Sequence, residues 1–505
     1  MLHDNVPNMA YSVTILGLLD LRTVLVACVV FLTLSWLIRR PRNLPPGPWG
    51  WPLIGSLPTL AMAPGDPHEI FQRMAQRYGP VFTLNILGQR LVLVHGYEAI
   101  REAFQHPSLS DRPELHLVTQ MLNGSEGIAA ASGEIWKEQR KLALNVFKNF
   151  GVGKSSFEDQ IATEAEHMMN EMHKLEGKAF NPDKLFMTAV SDIIAVVVFG
   201  KRFEYDDPEF QRILASIHRN LELIGAGAAM QFLPITKYLG FLPSMQEMRK
   251  NIQLVVNFTK NIIDRHLKEF DSDDKRDFMD MYISEMKERE KQNTNTVLSV
   301  DNLISVINDL FVAGTETTAT TLRWGLLYMI LHPDVQERVQ REIDAVVGRN
   351  RLPRMSHRSE LPYTEAVLLE LQRIGNIVPL GVPHRASENT TFQGYTIPKD
   401  TFIVANHWAL HRDPKLFPEP EKFSPERFLN ADGEAVKPEE LIPFSTGRRV
   451  CLGEQLAKME LFIFFTYLLH QFTFKKPQGS PPINLKGHLG ITLAPVPFEV
   501  CAIPR

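Results

Sequence analysis

A lone cysteine close to the C-terminus constrains this chain more than any other feature. Cys451 lies between Gly447 and Gly453, directly after two arginines, and an apolar run predicted to be helical from Leu452 to about His470 follows it. The N–H groups at the start of that helix and the two arginines both favour negative charge on the sulfur. The glycines allow a tight turn and the close approach of a flat group. The segment is therefore predicted to hold Cys451 as a thiolate.

The ten residues from Phe444 to Gly453 follow the pattern F-x-x-G-x-R-x-C-x-G, in which Arg449 is the fixed arginine. This pattern resembles the haem-binding loop of the cytochromes P450, and every fixed position is matched. The resemblance implies that Cys451 is the axial ligand of the iron in haem b, and that Phe444 and Arg449 contact the cofactor. A thiolate ligand pushes electron density onto iron and favours cleavage of the O–O bond. A haem-thiolate monooxygenase is therefore expected.

Amino-acid composition excludes few functional classes of protein. The net charge of −4 implies no bulk attraction to nucleic acid. Three cysteines in 505 residues argue against a disulfide framework and suit the reducing cytosol. Neither Cys28 nor Cys501 is given a role.

Long amphipathic patterns dominate the body of the chain and predict a mostly α fold with small β-sheets. Val81 to Val94 alternates and is rich in β-branched residues around Gly88-Gln89, which predicts a hairpin. Thr391 to Ala405 predicts a second strand pair. The resemblance runs from about Pro45 to the end and implies the cytochrome P450 fold, a single haem-binding domain.

Residues 1–42 are predicted to form a lumenal N-terminus and a transmembrane anchor. Thr23 to Ile38 is apolar and uncharged, and a helix beginning near Leu18 reaches the roughly 20 residues that a bilayer requires. Three arginines between residues 39 and 42 then place the remainder of the chain in the cytosol. A cleaved signal peptide is the alternative, but a basic start and a small-residue cleavage site are missing.

Residues 43–58 are rich in proline and are predicted to be a stiff hinge, with the catalytic domain in residues 59–505. A similar hinge follows the anchor in microsomal members of the family. The resemblance therefore implies a single-pass protein of the endoplasmic reticulum membrane with a cytosolic catalytic domain.

The longest predicted helix runs from Ser299, its cap, to Leu331, where His332-Pro333 stops it. Ala313, Gly314 and Thr317 fall on one face near its centre. Small residues there leave room beside a planar group. Taken alone, the same pattern also fits a kink or a close helix–helix contact.

The resemblance implies that Glu316 and Thr317 are the acid–alcohol pair of the reaction. The threonine hydroxyl can donate to an oxygen or a water, and the glutamate can relay protons towards it. Ala313 and Gly314 would face haem and substrate.

Glu370 and Arg373 form an E-x-x-R pair, which places both charges on one helix face. Such a pair is elsewhere often a weak surface ion pair. Arg427, in the segment Pro425 to Phe428, matches the family arginine that joins this pair. The resemblance implies a buried charged cluster of Glu370, Arg373 and Arg427 that holds the haem-binding core and is structural rather than catalytic.

Haem carries two propionates that need cationic partners. Trp136 and Arg140 lie one helical turn apart and are candidates, although such a pair is usually a packed helix face. Arg449 is a further candidate. Arg112 and His384 match family positions that often contact propionates, and a histidine after proline is otherwise most often a plain turn residue.

Four largely apolar segments are expected to face the substrate by resemblance only: Leu115 to Ala131, Leu221 to Leu242, Ile377 to Val382, and His488 to Ile491. The second of these is unusually apolar for an exposed connection. It is either a second membrane contact or a buried packing helix.

Electrons must come from another protein, because no dinucleotide-binding fingerprint is present. The implied partner is NADPH-cytochrome P450 reductase, with cytochrome b5 as a further candidate and NADPH as the indirect cofactor. Basic residues that would suit an acidic reductase are Lys137, Arg140, Lys141, Lys148, Arg448 and Lys458. Ordinary solvated lysines are the alternative.

The motifs look closest to the microsomal family-2 group, whose members oxidise fatty acids, steroids and xenobiotics. Two alternatives remain. A haem-thiolate isomerase or dehydratase rearranges peroxides without a reductase and needs no acid–alcohol pair, and a non-catalytic haem sensor or carrier needs neither an anchor nor a reductase surface.

Overall fold

The computed structural model describes residues 21–38, 43–114, 124–226 and 240–505, and these residues are mostly helical. The α-helices are α1 (Leu21–Ile38), α2 (Leu57–Ala61), α3 (Pro67–Tyr78), α4 (Tyr97–Gln105), α5 (Gly133–Asn149), α6 (Ser155–His173), α7 (Asp183–Phe199), α8 (Pro208–Ala226), α9 (Pro243–Glu269), α10 (Phe278–Lys291), α11 (Val300–Leu331), α12 (Pro333–Val346), α13 (Pro362–Gly375), α14 (His407–His411) and α15 (Glu454–Gln471). The strands are β1 (Val81–Ile86), β2 (Gln89–Val94), β3 (Ala179–Phe180), β4 (His384–Arg385), β5 (Thr390–Phe392), β6 (Tyr395–Ile397), β7 (Phe402–Ala405), β8 (Phe472–Lys475), β9 (His488–Leu489), β10 (Leu493–Ala494) and β11 (Val500–Pro504).

Helix α11 is the centre of the core. Its cap is the predicted one, because the Ser299 side chain accepts a hydrogen bond from the backbone N–H of Asn302. It ends at Leu331, and Pro333 begins the next helix. Most of its side chains are buried, and it packs against α7, α9, α13 and α15. The threonine-rich centre of α11 therefore lies in the interior, next to the helix that follows Cys451.

The largest sheet joins the two ends of the catalytic body. Strands β1 and β2 form the predicted antiparallel hairpin. Strand β7 then pairs with β2 in parallel, with Leu91 opposite Phe402, and β4 pairs with β7 on its other side. The sheet order is β1-β2-β7-β4.

The second predicted strand pair is only partly right. Strands β5 and β6 form a hairpin, whose turn contains Gln393 and Gly394, both with positive φ. Strand β7, in the same predicted segment, joins the large sheet instead. Smaller sheets have the orders β3-β11-β8 and β10-β9.

The proline-rich segment predicted as a hinge is packed on the body rather than separate from it. The backbone N–H of Thr83 donates to the carbonyl of Pro46 at 2.7 Å, and the N–H of Ser56 donates to Asn85. A Cβ on Gly47 would come 2.0 Å from the Thr83 oxygen, so only glycine allows this approach. The contacts of residues 43–58 thus continue the sheet.

Within the described ranges, no helix combines the length and the apolar character needed to cross a membrane. Helix α1 covers most of the apolar run, and its side chains from Thr23 to Phe31 are exposed. The predicted start near Leu18 and the arginines between residues 39 and 42 lie outside the described residues.

Candidate active site

The cysteine loop is closed by backbone contacts at both ends. The N–H of Cys451 donates to the carbonyl of Phe444 at 3.0 Å. Gly447 has φ +78°, and a Cβ there would lie 2.3 Å from the Phe104 carbonyl oxygen at the end of α4. This position requires glycine. Helix α15 begins at Glu454, two residues later than predicted.

The Cys451 thiol is accessible, yet protein surrounds it closely enough for burial to raise its pKa. A backbone N–H of Gly453 and the charge of Arg140 act in the opposite direction. The two arginines before the cysteine do not contribute as expected, because Arg448 is exposed and Arg449 is directed elsewhere. The protein alone therefore does not favour the thiolate, whereas the charge of a coordinated metal ion would deprotonate this thiol.

Arg449 is buried, and its hydrogen bonds to described residues all go to backbone carbonyls. Its Nε donates to Ser110 at 2.9 Å and its Nη2 to Ala131 at 2.7 Å, with a longer bond from Nη1 to Ile128. Burial lowers its pKa to about 9, with Arg140 adding to the effect and Asp111 opposing it. The protein holds this guanidinium in place without neutralising it.

Two further arginines also donate to backbone carbonyls and have a lowered pKa. Arg112 donates to the carbonyls of Val382 and Pro383 at 3.0 and 2.9 Å, and Arg140 donates to the carbonyl of Val450. Burial lowers the pKa of both, and the nearby Arg449 and Arg140 charges lower that of Arg112 further, to about 9. Within the part of the chain that the structure describes, none of the three makes an ion pair. Their combined charge fits a ligand with two carboxylates.

Trp136 adds an unmatched donor beside them. The Arg449 guanidinium lies 3.9 Å from the centre of the Trp136 ring, and the buried Trp136 Nε1 has no hydrogen-bond partner among the described residues. His384 stacks on Phe104 at 3.9 Å, and its Nδ1 meets the Leu109 carbonyl at 2.9 Å. Burial and Arg112 hold the pKa of His384 well below its usual value.

These features fit haem. A buried N–H donor without a partner and three guanidiniums without counter-charges match the propionates, and an accessible thiol matches the iron. A Cβ built on Gly453 would meet nothing within 4 Å, so open space lies beside the cysteine loop. Phe444, half-buried, begins this loop.

The centre of α11 contributes a second open surface. Ala313 is exposed although the helix is otherwise buried, and the Thr317 hydroxyl donates to the Ala313 carbonyl at 2.8 Å. Gly314 lies against α7, and its expected place beside haem stays a prediction. A Cβ there would lie 3.1 Å from Ile194 on α7, so this glycine allows the close contact between α11 and α7.

Glu316 is buried and turned away from Thr317. Its carboxylate accepts hydrogen bonds from Thr320 at 3.2 Å and Thr492 at 3.4 Å, and its other oxygen lies 3.3 Å from His218 Nδ1. No contact between Glu316 and Thr317 side chains is present. The two members of the expected acid–alcohol pair thus belong to different faces of α11.

The three charged residues of the expected cluster come together. Arg373 makes two bonds to Glu370 at 2.7 and 2.8 Å, and both side chains are fully buried. Arg427 Nε lies 3.2 Å from the same carboxylate. The backbone N–H of Ser424 donates to it at 2.8 Å. The cluster fastens α13 to the segment before the cysteine loop.

Sequence reasoning missed two acids, the half-buried Asp309 and the buried Glu460. Asp309 accepts the backbone N–H groups of Ile128 and Ala129 at 2.7 and 2.8 Å, and so fixes the loop whose carbonyls bind Arg449. It lies one turn before Ala313, a spacing that could have indicated it. Glu460 accepts the Thr318 hydroxyl at 2.9 Å and joins α15 to α11. Glu460 is a charged residue in an otherwise apolar helical run, and this position could have indicated a buried acid.

The remaining expected segments are described in part. Residues 115–123 and 227–239 lie outside the described ranges. The carbonyl of Leu221 accepts the N–H of Ile491, so two of the apolar segments meet. The carbonyl of Ile377, in a third segment, accepts the N–H of Leu493 in β10. Of the expected basic surface, Lys137 pairs with Glu134 and Lys458 with Glu454, each at 2.6 Å, and Arg140 is partly buried.

Comparison with known proteins identifies the family to which the chain belongs. The Cytochrome P450 family model matches residues 45–502. Cytochrome P450 2J5 of Mus musculus is 41% identical over 491 residues, which cover 96% of this chain and 97% of the relative. Cytochrome P450 2U1 of Homo sapiens is 39% identical over 498 residues, covering 94% and 91%. Cytochrome P450 2J2 of Homo sapiens is 40% identical over 489 residues, covering 96% of each.

The chain belongs to the cytochrome P450 family, and its similarity to the 2J and 2U proteins confirms the expected resemblance to the family-2 group. It is a monooxygenase that uses haem b.

Proposed function

We propose that this monooxygenase inserts one oxygen atom of O2 into a lipophilic substrate, a fatty acid, steroid or xenobiotic, with electrons from NADPH-cytochrome P450 reductase. The observation that carries the proposal is the set around Cys451: an accessible thiol, three guanidiniums bonded only to carbonyls, and the unmatched Nε1 of Trp136. This set matches a planar dicarboxylate whose metal ion takes a sulfur ligand.

Bound at this site, haem would supply the activation of dioxygen, through iron ligated by a thiolate. Cys451 would be that ligand, with Trp136, Arg112, Arg140 and Arg449 at the propionates. The backbone carbonyls that hold Arg112 and Arg449 keep both side chains in place before the cofactor arrives. His384 is held neutral and positioned by Leu109 and Phe104.

The chain's own proton-handling groups lie on α11. Thr317 holds a proton at Oγ1 beside the exposed Ala313. Glu316 is the buried acid one residue earlier. Since their side chains do not meet, a change of the Glu316 rotamer or an intervening water would carry a proton from one to the other.

The proposal includes the location of the protein in the endoplasmic reticulum membrane. It is supported by the exposed apolar side chains of α1 and by a further exposed set after it, comprising Trp49, Trp51, Leu53, Ile54 and Met62. Phe241, at the end of the apolar segment beyond α8, is 70% exposed. Alkaline carbonate extraction of microsomes containing the full chain tests this location, and release into the supernatant would contradict it.

The central experiment is a carbon monoxide difference spectrum of the reduced full-length protein, compared with Cys451→His and with Cys501→Ser as a matched cysteine control. We expect the strongly red-shifted Soret band of thiolate ligation in the wild type and in C501S, and its absence in C451H. A globin-like band in the wild type would contradict the proposal.

Turnover is then measured with NADPH and purified reductase on lauric acid, a steroid and an alkoxycoumarin. Oxygenated product that depends on both NADPH and reductase supports the proposal. Consumption of an organic hydroperoxide without them, and no oxygenated product with them, would indicate the isomerase instead.

A further inference from the structure

Glu316 is buried, and among the described residues the titratable side chain within hydrogen-bond distance of it is His218. The Glu316 side chain is 3% exposed. Its Oε1 accepts hydrogen bonds from the hydroxyls of Thr320 and Thr492, whereas Oε2 faces His218 Nδ1 at 3.3 Å. A threonine hydroxyl cannot supply a proton at neutral pH without regaining one at once, but imidazole titrates in this range. His218 is therefore the neighbour that can transfer a proton to the Glu316 carboxylate.

The position of His218 on α8 suits such a transfer. Its side chain is 37% exposed, and its second ring nitrogen, Nε2, lies 3.5 Å from Glu222 Oε1. The ring thus reaches from a partly exposed carboxylate to a buried one. His218, Glu222 and Glu316 all line one cavity of about 270 Å³ between α7, α8, α11 and the β9–β10 hairpin, which has room for water beside the ring.

The charges around His218 favour its protonated form. On α7, Asp183 is already paired with Arg323 of α11, at 2.6 Å. On α8, Glu222 also accepts from Arg219 at 3.0 Å. The exposed His488, at the edge of the hairpin, lines the same cavity. The hydrogen bond to Glu316 raises the pKa of His218, and this effect outweighs burial and the charge of Arg323, which lower it.

We propose that His218 is the solvent-facing member of the proton path that supplies Glu316 during turnover. This inference rests on the proposed monooxygenase function. The imidazolium loses its Nδ1 proton to Glu316 Oε2, and the N–H bonding pair stays on the ring as neutral imidazole. A proton from cavity water then restores the imidazolium. Each pass of this relay brings one proton from solvent to Glu316 Oε2, and no electron moves.

The test is His218→Gln, which keeps a hydrogen-bonding side chain but cannot titrate. The matched control is His167→Gln, at an exposed histidine of α6 far from Glu316 in the chain. For the panel substrate that the wild type oxidises, we measure product and hydrogen peroxide formed per NADPH between pH 6 and 9, in H2O and in D2O. H218Q should lower product per NADPH by about tenfold, less than the roughly hundredfold or greater effect of general acid–base groups, because water can partly replace the ring.

The pH profile separates a relay from a structural role. Product per NADPH in the wild type should fall as pH rises through the raised pKa of His218, whereas H218Q should be low and flat, with a larger D2O effect. H167Q should match the wild type. If H218Q does not fold, the same measurement is made on His218→Asn. The pH dependence of product per NADPH in the wild type also tests the relay without any variant.

A wild-type profile that is flat over this range, or H218Q with unchanged coupling, would overturn the relay while leaving the monooxygenase intact. A wild type that shows no thiolate band or no product would overturn the proposed function, and the relay with it.

Discussion

The guanidinium of Arg449 covers the indole of Trp136 at 3.9 Å while all its described hydrogen bonds go to the carbonyls of Ser110, Ile128 and Ala131. One side chain thus fixes both the ring and the loop beside it. Since the ring cannot turn without losing this stacking, Trp136 Nε1 stays directed away from protein partners. The donor is preorganised for a ligand.

Replacing Arg449 by alanine should therefore lower both haem content and fold stability. Three buried carbonyls lose their donor, and an unsatisfied buried polar group costs about 1–3 kcal/mol. Haem per polypeptide from the pyridine haemochrome and the urea midpoint of the apoprotein measure the two effects separately. Arg448→Ala, at the exposed neighbour, should change neither, and equal losses in both variants would contradict the assignment.

The buried pair of Glu370 and Arg373 predicts a large loss of stability in Arg373→Ala. Removing Arg373 leaves the buried Glu370 carboxylate with only Arg427 and the Ser424 N–H, and breaking a buried ion pair costs about 3–5 kcal/mol. The free energy of unfolding in urea measures it. Arg338→Ala breaks an exposed pair with Glu426 at 3.0 Å and should cost at most about 1 kcal/mol. A loss in R373A no larger than in R338A would refute the prediction.

Glu460 should make the fold less stable as pH rises. Burial raises its pKa to about 8 from 4.5, against the smaller opposite effect of Thr318. Between these values the folded chain keeps a proton that the unfolded chain releases, so stability falls with pH by up to about 1.4 kcal/mol per pH unit. Glu460→Gln should remove this slope in urea titrations at pH 5 to 8. Glu171→Gln, at an exposed pair, should keep it.

His266 should contribute stability that is lost at higher pH. Burial lowers its pKa, but Asp277 at 2.6 Å and the Ile262 carbonyl outweigh burial, and the net shift is upward. The contribution is complete below the unfolded value of 6.5 and disappears as pH rises through the folded value. The melting temperature of wild type minus that of His266→Gln should therefore decrease from pH 6 to pH 9. A constant or growing difference would show that the ion pair does not form.

Sequence patterns a few residues long correctly predicted helix ends and a hairpin turn, because neighbouring residues determine these features. The Ser299 cap, the stop at Pro333 and the β1–β2 turn were all visible in the sequence, because caps, prolines and turn glycines act within a few residues. The pairing of β7 with β2 could not be predicted, because the sequence of a short apolar strand does not indicate which distant strand it pairs with.

The site shows the same division. The spacing of Glu370 and Arg373 on one helix face predicted their contact. The direction of Glu316 could not be predicted, because it depends on where α8 and the β9–β10 hairpin place His218 and Thr492. The hydrogen bonds from Arg449 to loop carbonyls could not be predicted either, because every residue has a backbone carbonyl and the sequence does not show which of them accept.

The parallel pairing of β2 with β7 also has a consequence for synthesis. Gln89 donates to the carbonyl of Asp400, 311 residues later, so the ribosome completes the β1–β2 hairpin long before its third strand exists. At ordinary translation rates this interval lasts roughly 15–60 s. Throughout it, the apolar edge of β2 has no strand beside it and can pair with another nascent chain. The exposed edge of the newly made β1–β2 hairpin is therefore a place where a chaperone would prevent mispairing.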